Sequence, residues 1–304
     1  MPSTRFFRGN THCHTSLCGH ADAPPEEVAG WYREASYQFL VLSEHDTVIE
    51  PDRLRIGNVP GFLLIPGEEV TQDAPRFAAH VNAIGIRRAV PPIPAPLPEA
   101  SEVLRRTVDA IRAQGGLAQV NHPNFRGPLT VADVEAVPEG PLLLEIWNGH
   151  PLSNNDGKEG HPSAEAIWDA LLAKGRRIWG VASDDAHRYK IWEPGRSNPG
   201  QGWVMVRAQR LDESSILAAL AEGDFYASTG VILSGLRAAS DTISLSIVGI
   251  PGETYRIEFI ADGEVVEQRD GLEAAFRRPG GKAYLRARIL ASSGRRAWIQ
   301  PLFP

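Results

Sequence analysis

The chain has 304 residues, 42% of them hydrophobic, enough for a substantial core and too apolar for a disordered chain. Its 37 acids and 31 bases leave a formal net charge of −6, which argues against a nucleic-acid polymer as partner, because that partner demands a basic face. Two cysteines, Cys13 and Cys18, are too few for a disulfide scaffold; with no signal-peptide layout and no apolar run near the ~20 residues of a bilayer span, a cytoplasmic location without membrane contact is expected.

Phe6-Phe7-Arg8 reads as a first strand. Pro24-Pro25-Glu26-Glu27 opens a helix: proline fits the first turn, the acids suit the positive helix end, and Val28, Trp31, Tyr32 and Ala35 recur at helical spacing. Apolar runs at 39–42, 62–65, 81–86, 117–120, 142–146 and 178–182 read as strands, several without alternation, as strands covered on both faces should be. Helices are expected over about 101–114, 163–174 and 212–222, stopped by Gly115-Gly116, Gly175 and Gly223. The proline-rich 91–98 segment should be an extended surface loop. This alternation points to a parallel sheet, open or closed into a barrel. From about residue 236 the pattern becomes all-β, with strands near 242–248, 254–260, 264–268 and 283–290. The expected division is an α/β unit over 1–235 and a small β domain over 236–304.

Chemistry-bearing residues sit beside these strand ends. His12-Cys13-His14 follows the first strand, and side chains two apart on a strand share a face, so both imidazoles can grip one metal. His20 lies six residues beyond. Leu42-Ser43-Glu44-His45-Asp46 and Ile65-Pro66-Gly67-Glu68-Glu69 each end an apolar run. His80 enters a strand, Asn121-His122-Pro123 leaves one, and Asp184-Asp185-Ala186-His187 leaves another. Taken singly, each has a plain structural explanation as a cap, a solvated carboxylate or a hydrogen-bonded histidine. Taken together they do not: of 9 histidines only His150 and His161 lie outside the set. Imidazoles and a few carboxylates converging from several strand ends are the ligand types of a transition-metal site. The expected ligands are His12, His14, His20, His45, Glu69, His80, His122, Asp185 and His187, enough for two or three divalent ions.

In this order, the motifs resemble the PHP (polymerase and histidinol phosphatase) family over roughly residues 6–230. The resemblance implies a distorted (β/α)7 TIM-like barrel, here with the small C-terminal β appendage, and a phosphoesterase site holding three ions, commonly zinc, manganese or iron. Carried over by position, one ion falls to His12, His14, Glu69 and Asp185. A second shares Glu69 and adds His80 and His122. The third takes His20, His45 and His187. Glu69 is preferred to Glu68 because it matches Gly-x-Glu, and Asp185 to Asp184 because it matches Asp-x-His; Asp46, Glu68 and Asp184 are then candidates to orient ligands. The amidohydrolase barrels also begin with His-x-His but end on a lone aspartate. Gly9-Asn10-Thr11-His12 and the closing Ala297-Trp298-Ile299-Gln300-Pro301 more loosely resemble the carbaryl-hydrolase-type branch, which cleaves carbamate esters.

The expected activity is therefore metal-dependent hydrolysis of small phosphate mono- or diesters by a hydroxide held between the ions, with Glu69, Asp185 and His187 at its centre. Three divalent ions carry six positive charges and the two carboxylates return two, so an anionic small-molecule ester should be drawn in. Cleavage of carboxyl or carbamate esters at the same site, and metal-dependent binding without catalysis, are the alternatives. Arg126, Arg188, Lys190 and Arg196 follow site motifs and are candidate phosphate contacts; Asn148 and His150 are candidates to meet substrate. No Gly-x-Ser-x-Gly elbow or Gly-x-x-x-x-Gly-Lys loop is present. Cys13, flanked by ligands, reads as a buried filler.

Overall fold

The structure is a computed structural model that describes residues 4–55, 57–74, 78–94, 96, 98–126, 129–239 and 241–304. Its elements run β1 (Arg5–Asn10), α1 (Pro25–Glu34), β2 (Phe39–His45), β3 (Leu63–Asp73), β4 (Ala78–Ile84), α2 (Ala100–Ala113), β5 (Leu117–Val120), α3 (Val131–Glu135), β6 (Leu142–Asn148), α4 (Ala164–Ala173), β7 (Trp179–Ser183), β8 (Trp203–Ala208), α5 (Glu213–Glu222) and β9 (Phe225–Ser228). The C-terminal part adds β10 (Leu233–Ala239), β11 (Thr242–Ile247), β12 (Tyr255–Ala261), β13 (Glu264–Asp270), β14 (Glu273–Arg277), β15 (Leu285–Ala291) and β16 (Arg296–Leu302). Ala95 and Leu97 of the proline-rich segment lie outside the described residues; the rest of 91–98 is neither helix nor strand.

Local chemistry sets the helix ends. Pro25 opens α1, with Glu26 and Glu27 in its first turn. The Ser163 hydroxyl accepts from the Ala166 N–H at the start of α4, and the Asp212 carboxylate accepts from the Ser215 N–H at the start of α5. Thr130 and Asp133 form a reciprocal capping box on α3. Gly223, at φ 73°, ends α5 in the left-handed region. On α2, Val103, Leu104, Val108 and Ile111 are fully buried, each worth roughly 1.5–3 kcal/mol of transfer free energy.

One sheet of 13 strands runs in the order β13-β12-β15-β16-β9-β8-β1-β2-β3-β4-β5-β6-β7. It is mixed. β1, β2 and β3 are parallel, as are β5, β6 and β7, whereas β4, β8 and β9 pair antiparallel with their neighbours. The sheet curls, so Phe7, Val41, Ile65, Leu143, Val181 and Val204 meet in one inner cluster with Ile216 and Leu220 of α5. Helices α2 and α4 cover the outer face.

The distorted (β/α)7 barrel that the family resemblance implies is not seen: the sheet is open. The free edge of β1, which a closed ring would give to β7, is taken by β8 over Arg5–Gly9. β7 instead finds a side chain. The Gln300 amide on β16 accepts from the Gly180 N–H at 2.9 Å and donates to the Gly180 carbonyl at 2.7 Å, standing in for a strand partner. Beyond the strand ends the two arms do touch. His14 N–H donates to the Ala186 carbonyl at 3.1 Å and Asp185 N–H to the His12 carbonyl at 3.0 Å. This backbone contact brings the chain after β1 against the chain after β7.

β10, β11 and β14 form a separate three-stranded sheet. It packs on β12, β15 and β16 through Ile243, Leu245, Ile257, Phe259, Leu285 and Ile289. Because β16 pairs with β9, the large sheet continues from the α/β part into the C-terminal part. Buried Arg286 of β15 reinforces the join: it is paired with Asp169 of α4 at 2.6 Å and with Glu165 at 2.7 Å.

Candidate metal centre

The extended backbone after β1 places His12 and His14 on one face and Cys13 on the other. The Cys13 Sγ lies 3.4 Å from the Val41 carbonyl oxygen, fully buried, and burial pushes the thiol up to about 12. It is inert filler. β2 continues past its apolar run to His45, β3 to Glu69 and beyond, and β4 carries His80 opposite Thr71 of β3. His122 and Asp185 follow β5 and β7 with φ of 22° and 48°. Such left-handed backbone at non-glycine residues costs of order 1–3 kcal/mol and concentrates at functional sites.

Glu69 is the centre of the arrangement and is 1% exposed. Its Oε1 lies 3.3 Å from His12 Nε2, 3.1 Å from His80 Nδ1 and 3.2 Å from His122 Nε2. Its Oε2 lies 3.1 Å from His14 Nε2 and 3.3 Å from His45 Nδ1. Asp185 Oδ1 is 3.5 Å from His12 Nε2 and 3.2 Å from His14 Nε2, and those two ring nitrogens are 3.2 Å apart. Four ligands around one ion at bonds of ~2.1 Å would be separated by about 3.4 Å. His12, His14 and Glu69 fit that requirement as one close donor group, and Asp185 forms another with His12 and His122. Glu69, His80 and His122 form a further close donor group.

The third expected group differs in part. His45 and His187 share a donor group with His14 rather than with His20. The exposed His20 ring is 4.6 Å from that of His187 and 5.1 Å from that of His45, but its Nδ1 faces the Cys18 carbonyl at 3.2 Å. It completes the wall of the cavity without joining a close donor set.

Electrostatics follow this packing. Burial opposes charge on Glu69, but His12 and His80 outweigh it and hold the carboxyl well below its usual range. Asp185 is held low in the same way by His12, His14 and His187. Burial also opposes charge on His12, yet Asp185, Glu69 and Glu145 hold its pKa well above that of a free imidazole. His45 is pushed down to about 4 by burial and by neighbouring imidazoles, against Glu69, and His187 down to about 3 by burial and His14, against Asp185. Both are neutral at pH 7 and offer lone pairs.

Two carboxylates behind the imidazoles were not singled out from sequence. Glu145 Oε1 lies 2.7 Å from His12 Nδ1, and Oε2 accepts from the His122 N–H at 2.7 Å and from Asn148 at 2.8 Å. Glu44 lies 3.4 Å from His14 Nδ1 and accepts from the Thr15 N–H and hydroxyl; His14 and Thr15 overcome burial and bring its carboxyl down to about 2. The signal for Glu145 was a lone acid in Leu142-Leu143-Leu144-Glu145-Ile146, and for Glu44 the residue before His45.

The other candidates divide. Asp46 accepts from the Thr71 N–H, and the Thr71 hydroxyl lies 2.9 Å from His45 Nδ1, so Asp46 acts on a ligand at one remove. Glu68 turns away and accepts from the Val90 N–H. Asp184 turns away too, taking N–H groups of Gly200, Gln201 and Gly202 and the Tyr32 hydroxyl. Asn148 is buried and donates to Asp185 at 3.2 Å, so it touches a ligand rather than the cavity. A cavity of about 350 Å³ opens over Glu69 and Asp185, and Phe125, Arg126, His150, Leu152 and Arg188 line its mouth. Lys190 pairs with Glu27 and Arg196 with Glu193 at the surface, outside that lining. A larger cleft of about 1030 Å³ in the C-terminal part contains no imidazole.

No protein-family model matches the chain, and no curated protein matches it. Among solved structures, its fold is similar to that of a two-domain protein from Bacteroides vulgatus described as containing a predicted PHP-like metal-dependent phosphoesterase. Sequence identity is 15% and the TM-score 0.52, with 98% of this chain and 95% of that one covered. A proposed metal-dependent phosphoesterase from Bifidobacterium adolescentis aligns with 62% of this chain and 89% of its own, at 16% identity and TM-score 0.42. An amidohydrolase from Chromobacterium violaceum, solved with sulfate, aligns with 63% of this chain and 93% of its own, at 12% identity and TM-score 0.43. Among the described residues, no helix is long and apolar enough to cross a membrane.

Proposed function

We propose that the protein is a metal-dependent hydrolase that cleaves small phosphate mono- or diesters. One observation carries the proposal: His12, His14 and Glu69 form one close donor group with atoms 3.1–3.3 Å apart, and Asp185 Oδ1 lies 3.5 Å and 3.2 Å from the same two imidazoles. Two or three divalent ions, held by these residues with His80, His122, His45 and His187, would supply Lewis acidity that lowers the pKa of water and offsets charge on a phosphoryl oxygen. Zinc, manganese and iron all suit imidazole with carboxylate.

The chain's own groups do the rest. Glu145 and Glu44 fix the rings of His12 and His14 so that each Nε2 points inward. Asn148 steadies Asp185. Arg126 and Arg188 place guanidinium groups at the cavity mouth, where they favour an anion and can orient phosphate. The Arg188 side chain is itself anchored on the His20 carbonyl at 2.7 Å. A second reading, hydrolysis of carboxyl or carbamate esters, draws support from Phe125 and Leu152, which give the same mouth an apolar lip.

The test is a metal analysis paired with a panel of nitrophenyl phosphate, bis-nitrophenyl phosphate, nitrophenyl acetate and an aryl carbamate. The expected result is at least two ions per chain, and turnover of phosphate esters that chelation abolishes and added zinc, manganese or iron restores. His12→Ala and Asp185→Ala should lose metal and turnover together. Full activity in either variant refutes the site. Metal uptake without turnover of any ester leaves a binding module, and turnover confined to the acetate or carbamate favours the second reading.

A further inference from the structure

We propose that the cleft between the α/β part and the C-terminal β part binds a small organic anion with a flat, apolar body. The cleft holds about 620 Å³ where the 200–203 segment meets the β9–β10 turn and the β15–β16 turn. Its volume is that of a small-molecule site, far more than one inorganic ion fills. Arg8 and Arg295 line it, and no carboxylate does.

Arg8 is fixed in place without a counter-charge. Its guanidinium carbon lies 4.0 Å from the centre of the Tyr37 ring and 3.7 Å from that of Trp203. Its Nη2 donates to the Tyr37 hydroxyl at 3.0 Å, and its Nε–H has no acceptor. A guanidinium held through its faces, with no carboxylate against it among the described residues, keeps its charge available to an anion entering the cleft. Three other arginines, by contrast, have carboxylate partners: Arg207 has Asp224, Arg286 has Asp169 and Arg296 has Asp156.

Arg295 is placed by a glycine. Gly230 has φ 151°, and a Cβ there would lie 2.3 Å from the Arg295 Cδ. The side chain therefore lies across bare backbone, which any other residue would block. The indoles of Trp147 and Trp203 add flat apolar wall. The recognised ligand is one anionic group shared by two guanidiniums, on an aromatic body against the indoles. The proposal is independent of the metal centre.

The test uses the full-length, metal-loaded protein titrated with 2-naphthoate, followed by calorimetry and by the indole N–H resonances of Trp147 and Trp203. Saturable binding at one site is expected, moving both resonances. Arg295→Gln, on an exposed turn that the core does not need, should weaken it about 10-fold or more, the loss of a charge-assisted hydrogen bond. Gly230→Ala should weaken it while leaving both charges in place. His12→Ala should leave it unchanged. Inorganic phosphate should bind at least about 10-fold more weakly, because it leaves the indoles bare. Absence of saturable binding overturns the proposal. So does binding that His12→Ala abolishes and Arg295→Gln does not, which would put the anion on the metal centre. Phosphate binding as tight as naphthoate overturns the flat-body assignment.

Discussion

Replacing Glu145 by glutamine tests the ligand set from behind, without touching a proposed metal donor. The exchange keeps shape and removes charge. Glu145 is buried and acts only as an acceptor: Oε1 faces His12 Nδ1, the Ser183 hydroxyl and Gln119, and Oε2 faces the His122 N–H and Asn148. A glutamine must put its NH2 on one side or the other. With the NH2 toward His122, two donors oppose each other across a 2.7 Å contact, which costs about 1–3 kcal/mol of stability. With the NH2 toward His12, the ring must accept at Nδ1 and carry its proton on Nε2, the atom that faces Glu69 and Asp185. That tautomer cannot ligate a metal.

Either orientation should weaken metal binding by about 10- to 100-fold, or roughly 1.4–2.7 kcal/mol. Competition against a chromophoric chelator measures the affinity, and denaturant unfolding of the metal-free protein measures the stability term separately. Glu145→Gln with wild-type metal affinity and wild-type stability would refute the claim that this carboxylate sets the His12 tautomer.

Three further outcomes follow from contacts away from the centre. Arg286→Met leaves Asp169 and Glu165 facing each other without their buried cation; removing one member of a buried pair costs about 3–5 kcal/mol, so the unfolding midpoint should fall while metal content per folded chain stays unchanged. Gln300→Leu removes both bonds to Gly180, and hydrogen exchange at the Gly180 amide should lose protection while the α2 amides keep theirs. Burial works against charge on Glu165, but Arg286 and Arg288 outweigh it and lower its pKa; a carboxylate lowered on folding stabilises the protein above its unfolded pKa of ~4.3 and loses that contribution as pH falls through the folded value. The stability gap between wild type and Glu165→Gln should therefore be largest near neutrality and shrink below about pH 4; a gap independent of pH would show that the ion pair contributes nothing.

β1 to β7 were legible from apolar runs, most of them buried on both faces, but the runs stop short of the strand ends. β2 extends past its apolar run to His45, and β3 through Glu69 to Asp73, because these polar residues take the same extended backbone as the core and carry none of its hydrophobicity. β8 and β9 were not read, although Trp203, Val204, Val206, Phe225 and Tyr226 are buried. β10 and β14 were missed because their residues alternate between half-exposed and exposed, which leaves little apolar signal. α3 was missed for its length, although Thr130 and Asp133 have capping-box spacing. The alternation of strands and helices left the sheet open or closed into a barrel, and only the resemblance pointed to the barrel. Whether β8 or β7 takes the edge of β1 depends on the direction in which the chain returns after the 184–202 segment, and no local pattern encodes that. His20 is a similar case: the family resemblance groups it with His45 and His187, its ring lies 5.1 Å and 4.6 Å from theirs, and loop geometry decides where its nitrogens point.

The hydrogen-bond inventory of the centre argues for cations more strongly than any single distance. His12 Nδ1 is engaged by Glu145, His14 Nδ1 by Glu44, and His187 Nδ1 by the Asp185 carbonyl at 2.9 Å. Fixing one nitrogen of a neutral ring as the donor leaves the other as an acceptor, and for His12 and His14 that acceptor points inward. Glu69 and Asp185 add carboxylate oxygens, which also only accept. Two side-chain amides supply N–H groups there, Asn121 to Glu69 at 2.9 Å and to Asn82 at 2.8 Å, and Asn148 to Asp185 at 3.2 Å. A purely structural cluster of polar groups would balance donors against acceptors, because each buried unpaired acceptor is costly. Here acceptors crowd around one buried carboxylate, and among the described residues these two amides are too few to satisfy them. Such an arrangement is stable only when positive charge fills it, either as protons on the imidazoles or as metal ions between them, and the 3.1–3.3 Å spacing of His12, His14 and Glu69 is close to that of ligands around a metal ion.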